Sequence, residues 1–254
     1  MDKKVPYGYN SLRGALRNGY RNQEGLNGQS RTAYAANERT ESVLMKILVV
    51  GAEGMIGRRL VKEALYRKCE VTVLMQNPSL LQEEHAALRV IEGDLLAPGA
   101  IASAAAGCEA ILSAFGTEPH EGPLLSEAAR LILEGAHAAG VERVIVAGGS
   151  GTLLTAPGVR VMDAPDYPQE LLPLAHAHAE AYEILAASEL EWTYVSPAAW
   201  IEPGKRTGNF RVGMSMLVTD DEGHSRISIE DFAAAVIDEL DDPNFIRSRF
   251  TVAY

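Results

Sequence analysis

Cysteine is scarce: Cys69 and Cys108 are the only two, and the second sits in the apolar AAAGCEAIL, so buried thiols are expected rather than a disulfide or a metal site. No run of about 18 apolar residues occurs, which excludes a helix spanning a bilayer. The N-terminus also lacks the compact apolar segment of a secretory signal, and the chain is read as cytoplasmic with no membrane partner. Positive charge is short as well. Against 34 Asp and Glu stand 23 Lys and Arg, and a net charge of −11 repels a phosphate backbone, so nucleic acid is not an expected partner. Apolar residues are plentiful, at 47% of 254, enough for one well-buried core and cramped for two.

Residues 1–44 differ in kind from the rest. They are rich in Gly, Asn, Arg and Tyr, show no sustained period, and carry a balance of +3, which leaves −14 on the body from Met45. A segment that buries so little apolar surface does not offset its ordering entropy, so a disordered basic extension is expected, or an arm docked through Tyr7, Tyr9 and Tyr20. Residues 45–254 are expected to form a single domain. In it, apolar strand-like runs at 46–51, 70–75, 89–93, 110–115, 143–148 and 192–197 alternate with helical segments at 55–66, 98–106, 123–139 and 176–188. That alternation implies right-handed βαβ crossovers and a doubly wound parallel α/β sheet, a Rossmann fold. Past Pro197 come a looser PGKRTGNFRVG, a strand-like SRISI, a helix at 230–240 and a last strand, RFTVAY; this region is expected over the carboxyl ends of the strands.

The stretch KILVVGAEGMIGRRLVKEAL, Lys46–Leu65, carries the chemistry. A helix N-terminus exposes unpaired N–H groups and the positive end of its dipole, so small residues feeding one make a diphosphate site. Gly51 permits the sharp turn, Gly54 the approach of a phosphate to the backbone, and Gly57 close packing of helix on sheet. Following a strand and opening a helix, the triplet reads as dinucleotide binding through Gly51, Glu53, Gly54, Met55, Ile56 and Gly57.

The spacing GAEGMIG resembles the short-chain dehydrogenase/reductase superfamily. EGDLLAPGAIASAAAGCEAIL resembles its atypical, NmrA-like branch, which implies that Asp94, followed by Leu95, reads the adenine edge. WTYVSPAAWIEPGKRTGNFRVG, DEGHSRISIEDFAAAVIDELDDP and RFTVAY resemble a small bacterial group named for NADH-flavin reduction, relatives of biliverdin-IXβ reductase. The resemblance runs from Met45 to Tyr254 and implies NAD or NADP as cofactor, with a lean to NADP. It implies a monomer or homodimer. NAD enzymes of this fold place an acid at the end of the second strand, roughly twenty residues past the glycines, and NADP enzymes an Arg. This chain has the neutral Gln76 and Asn77, with Arg58 and Arg59 as alternative positive groups.

Typical members of the superfamily use a Tyr four residues before a Lys, and no such pair follows the glycine turn. That removes the usual carbonyl reduction but not hydride transfer to a planar conjugated acceptor such as a flavin or quinone, whose proton can come from water. The expected function is therefore an NAD(P)H-dependent oxidoreductase of this kind. A non-catalytic NAD(P) redox sensor acting on a protein partner is the rival, and a sugar-nucleotide epimerase or dehydratase the weaker alternative. Ala114, Phe115 and Gly116, at the end of the fourth strand, fall where the superfamily packs the cofactor ribose. Ser150 falls near its catalytic Ser, or serves as a turn hydroxyl. Gly149, Pro197, Trp200 and Arg206 are the substrate-side candidates, with Trp200 stacking on a ring or filling the core, and Arg206 pairing with an anion or fixing its loop. His176, Glu180 and Glu183 share a helix face read as charged surface, not metal; His176 or His178 is a candidate weak proton donor.

Overall fold

A computed structural model describes residues 44–118 and 121–254. The extension read over residues 1–44 thus lies outside the described residues but for Leu44. Eight strands form one sheet: β1 (Lys46–Val50), β2 (Glu70–Met75), β3 (Leu88–Glu92), β4 (Ala110–Ser113), β5 (Arg143–Ala147), β8 (Glu191–Ser196), β10 (Arg211–Gly213) and β12 (Ser248–Ala253). Their order across it is β10-β12-β8-β5-β4-β1-β2-β3. Every neighbouring pair is parallel except β10 with β12. The fold is the doubly wound α/β class expected. Strand order reverses between β1 and β4, which leaves a crevice at their carboxyl ends.

Helices cover both faces. On one side α1 (Met55–Tyr66) packs on α5 (Ile229–Asp241), and their apolar stripes, Leu60, Val61 and Ala64 with Phe232, Val236 and Leu240, join Ile47, Val49 and Phe250 of the sheet in one core. On the other side α2 (Ala100–Ala104) and α3 (Pro123–Ala139) lie over Leu48, Val50, Ile111 and Val144, and α4 (Leu172–Ala186) over Trp192 and Tyr194. Burial on both faces accounts for the near-continuous apolar runs of the central strands. Cys69 is buried and Cys108 half-buried.

Three elements depart from the expected bounds for local reasons. Helix α2 is trimmed to five residues because Gly99 and Gly107 hold left-handed φ of +76° and +78° at its flanks. Helix α4 starts four residues early, where Pro173 occupies its first turn. Strand β4 stops at Ser113 because Ala114 and Phe115 then cross the backbone of Gly51. The sequence did not reveal the hairpin of β6 (Leu154–Ala156) with β7 (Val159–Arg160), the parallel pair of β9 (Trp200–Glu202) with β11 (Arg226–Ser228), or the reversed edge strand β10. SRISI therefore pairs outside the main sheet, while β10 and β12 extend that sheet and α5 covers one of its faces, so these parts of the C-terminal third do not lie over the strand ends. Among the described residues no helix is long and apolar enough to cross a membrane.

Candidate nucleotide-binding site

The turn from β1 into α1 is built around two glycines that admit no side chain. Gly51 holds φ +79°, and a Cβ there would lie 2.5 Å from the backbone of Ala114 and Phe115; one on Gly57 would lie 2.1 Å from the Gly51 carbonyl oxygen. Gly54 differs. A Cβ there would meet only the Gly51 oxygen, at an ordinary 3.5 Å, so its α-carbon faces open ground. Helix α1 begins at this point with no side-chain cap and no acid in its first turn. Helix α5 of the same chain begins in the opposite way, with the Ser228 hydroxyl accepting from Asp231 N–H and with Glu230 and Asp231 in its first turn. A bare positive helix end beside an open glycine fits a diphosphate group. Met55 is exposed and Ile56 half-buried beside it.

The remaining candidates gather around the same crevice, at the ends of β2, β3 and β4. Gln76 is exposed, and its N–H donates to Glu53 Oε1 at 2.8 Å. The Asn77 side chain is occupied locally, its Oδ1 accepting from the amide and hydroxyl of Ser79 at 3.2 and 2.6 Å. Asp94 is exposed and turns its own loop by accepting from Leu96 N–H at 2.9 Å, which buries Leu95 beneath it. Ala114 N–H donates to the Val50 carbonyl at 3.0 Å, and this carries Phe115 and Gly116 alongside the glycine turn.

At the end of β5 the chain runs over two rings that sequence reasoning did not join. A Cβ on Gly148 would lie 2.0 Å from the Tyr194 ring, and one on Gly149 2.8 Å from the imidazole of His178. The Gly149 N–H donates to the Tyr194 hydroxyl at 3.2 Å, and that hydroxyl lies 3.3 Å from His178 Nδ1. Gly149 therefore spends its donor on the scaffold, while Ser150 follows it half-exposed. Desolvation pushes the His178 imidazole down to about 4 and the Tyr194 phenol up to about 12, so both are neutral near pH 7. The expectation of a His proton donor is corrected for His178 on this ground. His176, two residues earlier and so on roughly the opposite side of the helix, is exposed, and Glu180 pairs with Arg130 at 3.3 Å.

Neutral His178 makes a pH prediction. Below 6.5 the unfolded chain takes up a proton that the folded chain refuses until about 4, so stability falls as pH drops through that window. The loss attributable to this residue reaches at most about 3 kcal/mol. Urea unfolding at near-neutral and mildly acid pH should show a shallower dependence in His178→Asn than in the wild type; identical slopes would remove His178 from the account.

The substrate-side candidates sit in different local settings. Pro197 is buried at the end of β8, and Trp200 is half-buried where β9 pairs with β11. Of its two readings Arg206 takes the second: its guanidinium grips Glu63 on α1 with two hydrogen bonds of 2.7 and 2.8 Å and lies 5.3 Å from the centre of the Tyr66 ring, which fixes its loop.

Comparison with known proteins agrees with this geometry. A family model described as NAD(P)H-binding matches residues 51–243. An uncharacterized protein of Bacillus subtilis, YwnB, is 37% identical over 82% of this chain and 98% of its own length. A crystal structure from Bacteroides thetaiotaomicron, of a protein provisionally named an epimerase, is 37% identical with a TM-score of 0.77, covering 83% of this chain and 97% of that one. Another, from Streptococcus pneumoniae, of a protein provisionally named an NADH-flavin reductase, is 32% identical with a TM-score of 0.73, covering 82% and 99%. Matched over most of its length by the family model and by relatives of its own size, the chain belongs to the NAD(P)H-binding family.

Proposed function

We propose that the protein is an NAD(P)H-dependent oxidoreductase that passes hydride to a planar conjugated acceptor, a flavin or quinone. The observation that carries this reading is the uncapped start of α1 behind Gly54, at the point where strand order reverses. A reduced nicotinamide nucleotide, when bound, supplies the hydride. Amides at the start of α1 would hold its diphosphate, and the ends of β4 and β5 would flank its nicotinamide half. The two rings beneath Gly148 and Gly149 keep that floor rigid.

Acceptor class follows from proton chemistry. With His178 held at about 4 and Tyr194 at about 12, neither ring under the β5 turn exchanges a proton readily near pH 7. No Tyr precedes a Lys by four residues after the glycine turn, which disfavours the epimerase name carried by one relative. An acceptor that delocalises the incoming electron pair and draws its proton from water suits such a site. Mixing the protein with NADH or NADPH and a panel of flavins, quinones and bilins should give nucleotide oxidation that scales with acceptor. Tight nucleotide binding with no turnover across the panel would overturn this reading in favour of a non-catalytic redox sensor, which the missing Tyr-Lys pair favours.

A further inference from the structure

We propose that Glu53, reaching from the glycine turn to the end of β2, reads the adenosine ribose and makes the protein selective for NAD(H) over NADP(H). The proposal rests on the dinucleotide reading above and runs opposite to the lean towards NADP that the family resemblance implies. In this fold the adenosine ribose lies at the end of the second strand, where an acid accepts from its hydroxyls. The sequence supplies Gln76 there, and the Asn77 carbonyl oxygen is taken up by Ser79, which leaves that side chain only its NH2 donors and no acceptor for a ribose hydroxyl. Space supplies what the chain order does not: Oε1 of Glu53 accepts from the Gln76 N–H at 2.8 Å, which fixes a carboxylate at that strand end.

Among the described residues the other Glu53 oxygen has no hydrogen-bond partner. A ribose diol brings two O–H donors to it. A 2′-phosphate brings about two negative charges and only acceptor oxygens, so it meets the carboxylate with repulsion and without a donor. Two cations follow the glycine turn in the chain, Arg58 and Arg59. Arg59, on the first turns of α1, is committed to Glu230 at 3.1 Å, and Arg58 is exposed beside it. In chain order neither follows β2, the position from which an Arg accommodates the phosphate, so the exposed Arg58 is the cation a 2′-phosphate would have to recruit.

Calorimetric titration of the wild type with NADH and NADPH separately, and then of Glu53→Gln, tests the idea. The wild type should bind NADH at least about tenfold more tightly, and the variant should bring the two within about threefold, weakening NADH and strengthening NADPH. Equal affinities in the wild type, a preference for NADPH, or a gap unchanged in Glu53→Gln would each overturn the assignment while leaving the dinucleotide site intact. Failure of both nucleotides to bind would overturn the site itself. Should the variant not fold, competition between AMP and adenosine 2′,5′-bisphosphate on the wild type decides the same question: AMP is expected to win, and parity refutes the role of Glu53.

Discussion

A Gly51→Ala chain is expected to lose NAD(P)H binding and to melt about 10 °C below the wild type, a loss on the order of 3–5 kcal/mol. Two costs add. The left-handed φ of +79° is unfavourable for any residue with a Cβ, and that Cβ would stand 2.5 Å from the backbone of Ala114 and Phe115. Because those atoms are main chain, relief requires the end of β4 to move away from β1, which opens the crevice the nucleotide is proposed to fill. Differential scanning calorimetry with and without NADH reads both effects. A variant that melts with the wild type and is still stabilised by NADH would refute the account of the turn.

Loss of one buried charge should do comparable damage far from the site. Arg143 and Glu239 are 8% and 3% exposed and pair at 2.7 Å, while Arg143 also donates to the Glu191 carbonyl and the Thr193 hydroxyl, each at 2.8 Å. Glu239 accepts in addition from the amides of Asn244 and Phe245, at 2.9 and 3.1 Å, so it ties α5 to the segment entering β12. Removing the carboxylate in Glu239→Leu strands a desolvated guanidinium, at an expected cost of about 3–5 kcal/mol. The double replacement Arg143→Met with Glu239→Leu should cost clearly less, since no buried charge is then uncompensated. Urea unfolding of the three chains measures this. A single replacement costing under about 1 kcal/mol would mean that water reaches the pair.

How much of this could be read in advance varies with the range of the interaction. The strand, glycine and helix order from Lys46 to Tyr66 is local, and the chain alone announces it. Helix α3 is found at 123–139 as expected because Pro123 marks its start and the left-handed Gly140 its end. Pairings between distant short segments leave no period to detect, which is why β9 with β11 and the edge strand β10 escape a reading of the sequence. The same holds at the site. The sequence names Glu53 only as part of the glycine turn; its contact with the end of β2, twenty-three residues on, is made through space and leaves no local signal. Histidines two apart on a helix look alike in sequence, yet His176 faces water and His178 lies under Gly149; only the packing of α4 on β5 and β8 separates them. Arg206 reads equally as ligand contact or loop anchor until Glu63 is found beside it.

The anchoring of that loop has a mechanical side. Between Gly204 and Gly208 the backbone is fastened to α5 and its cap at Glu230, Ser228 and the fully buried Asp231, whose carboxylate accepts from the amides of Thr207 and Gly208 and from the hydroxyls of Thr207 and Tyr254. Arg206 adds a bolt into α1. So many fastenings on five consecutive residues clamp the start of α5 to the second half of α1, so the two helices are held to one relative position and move as a single body.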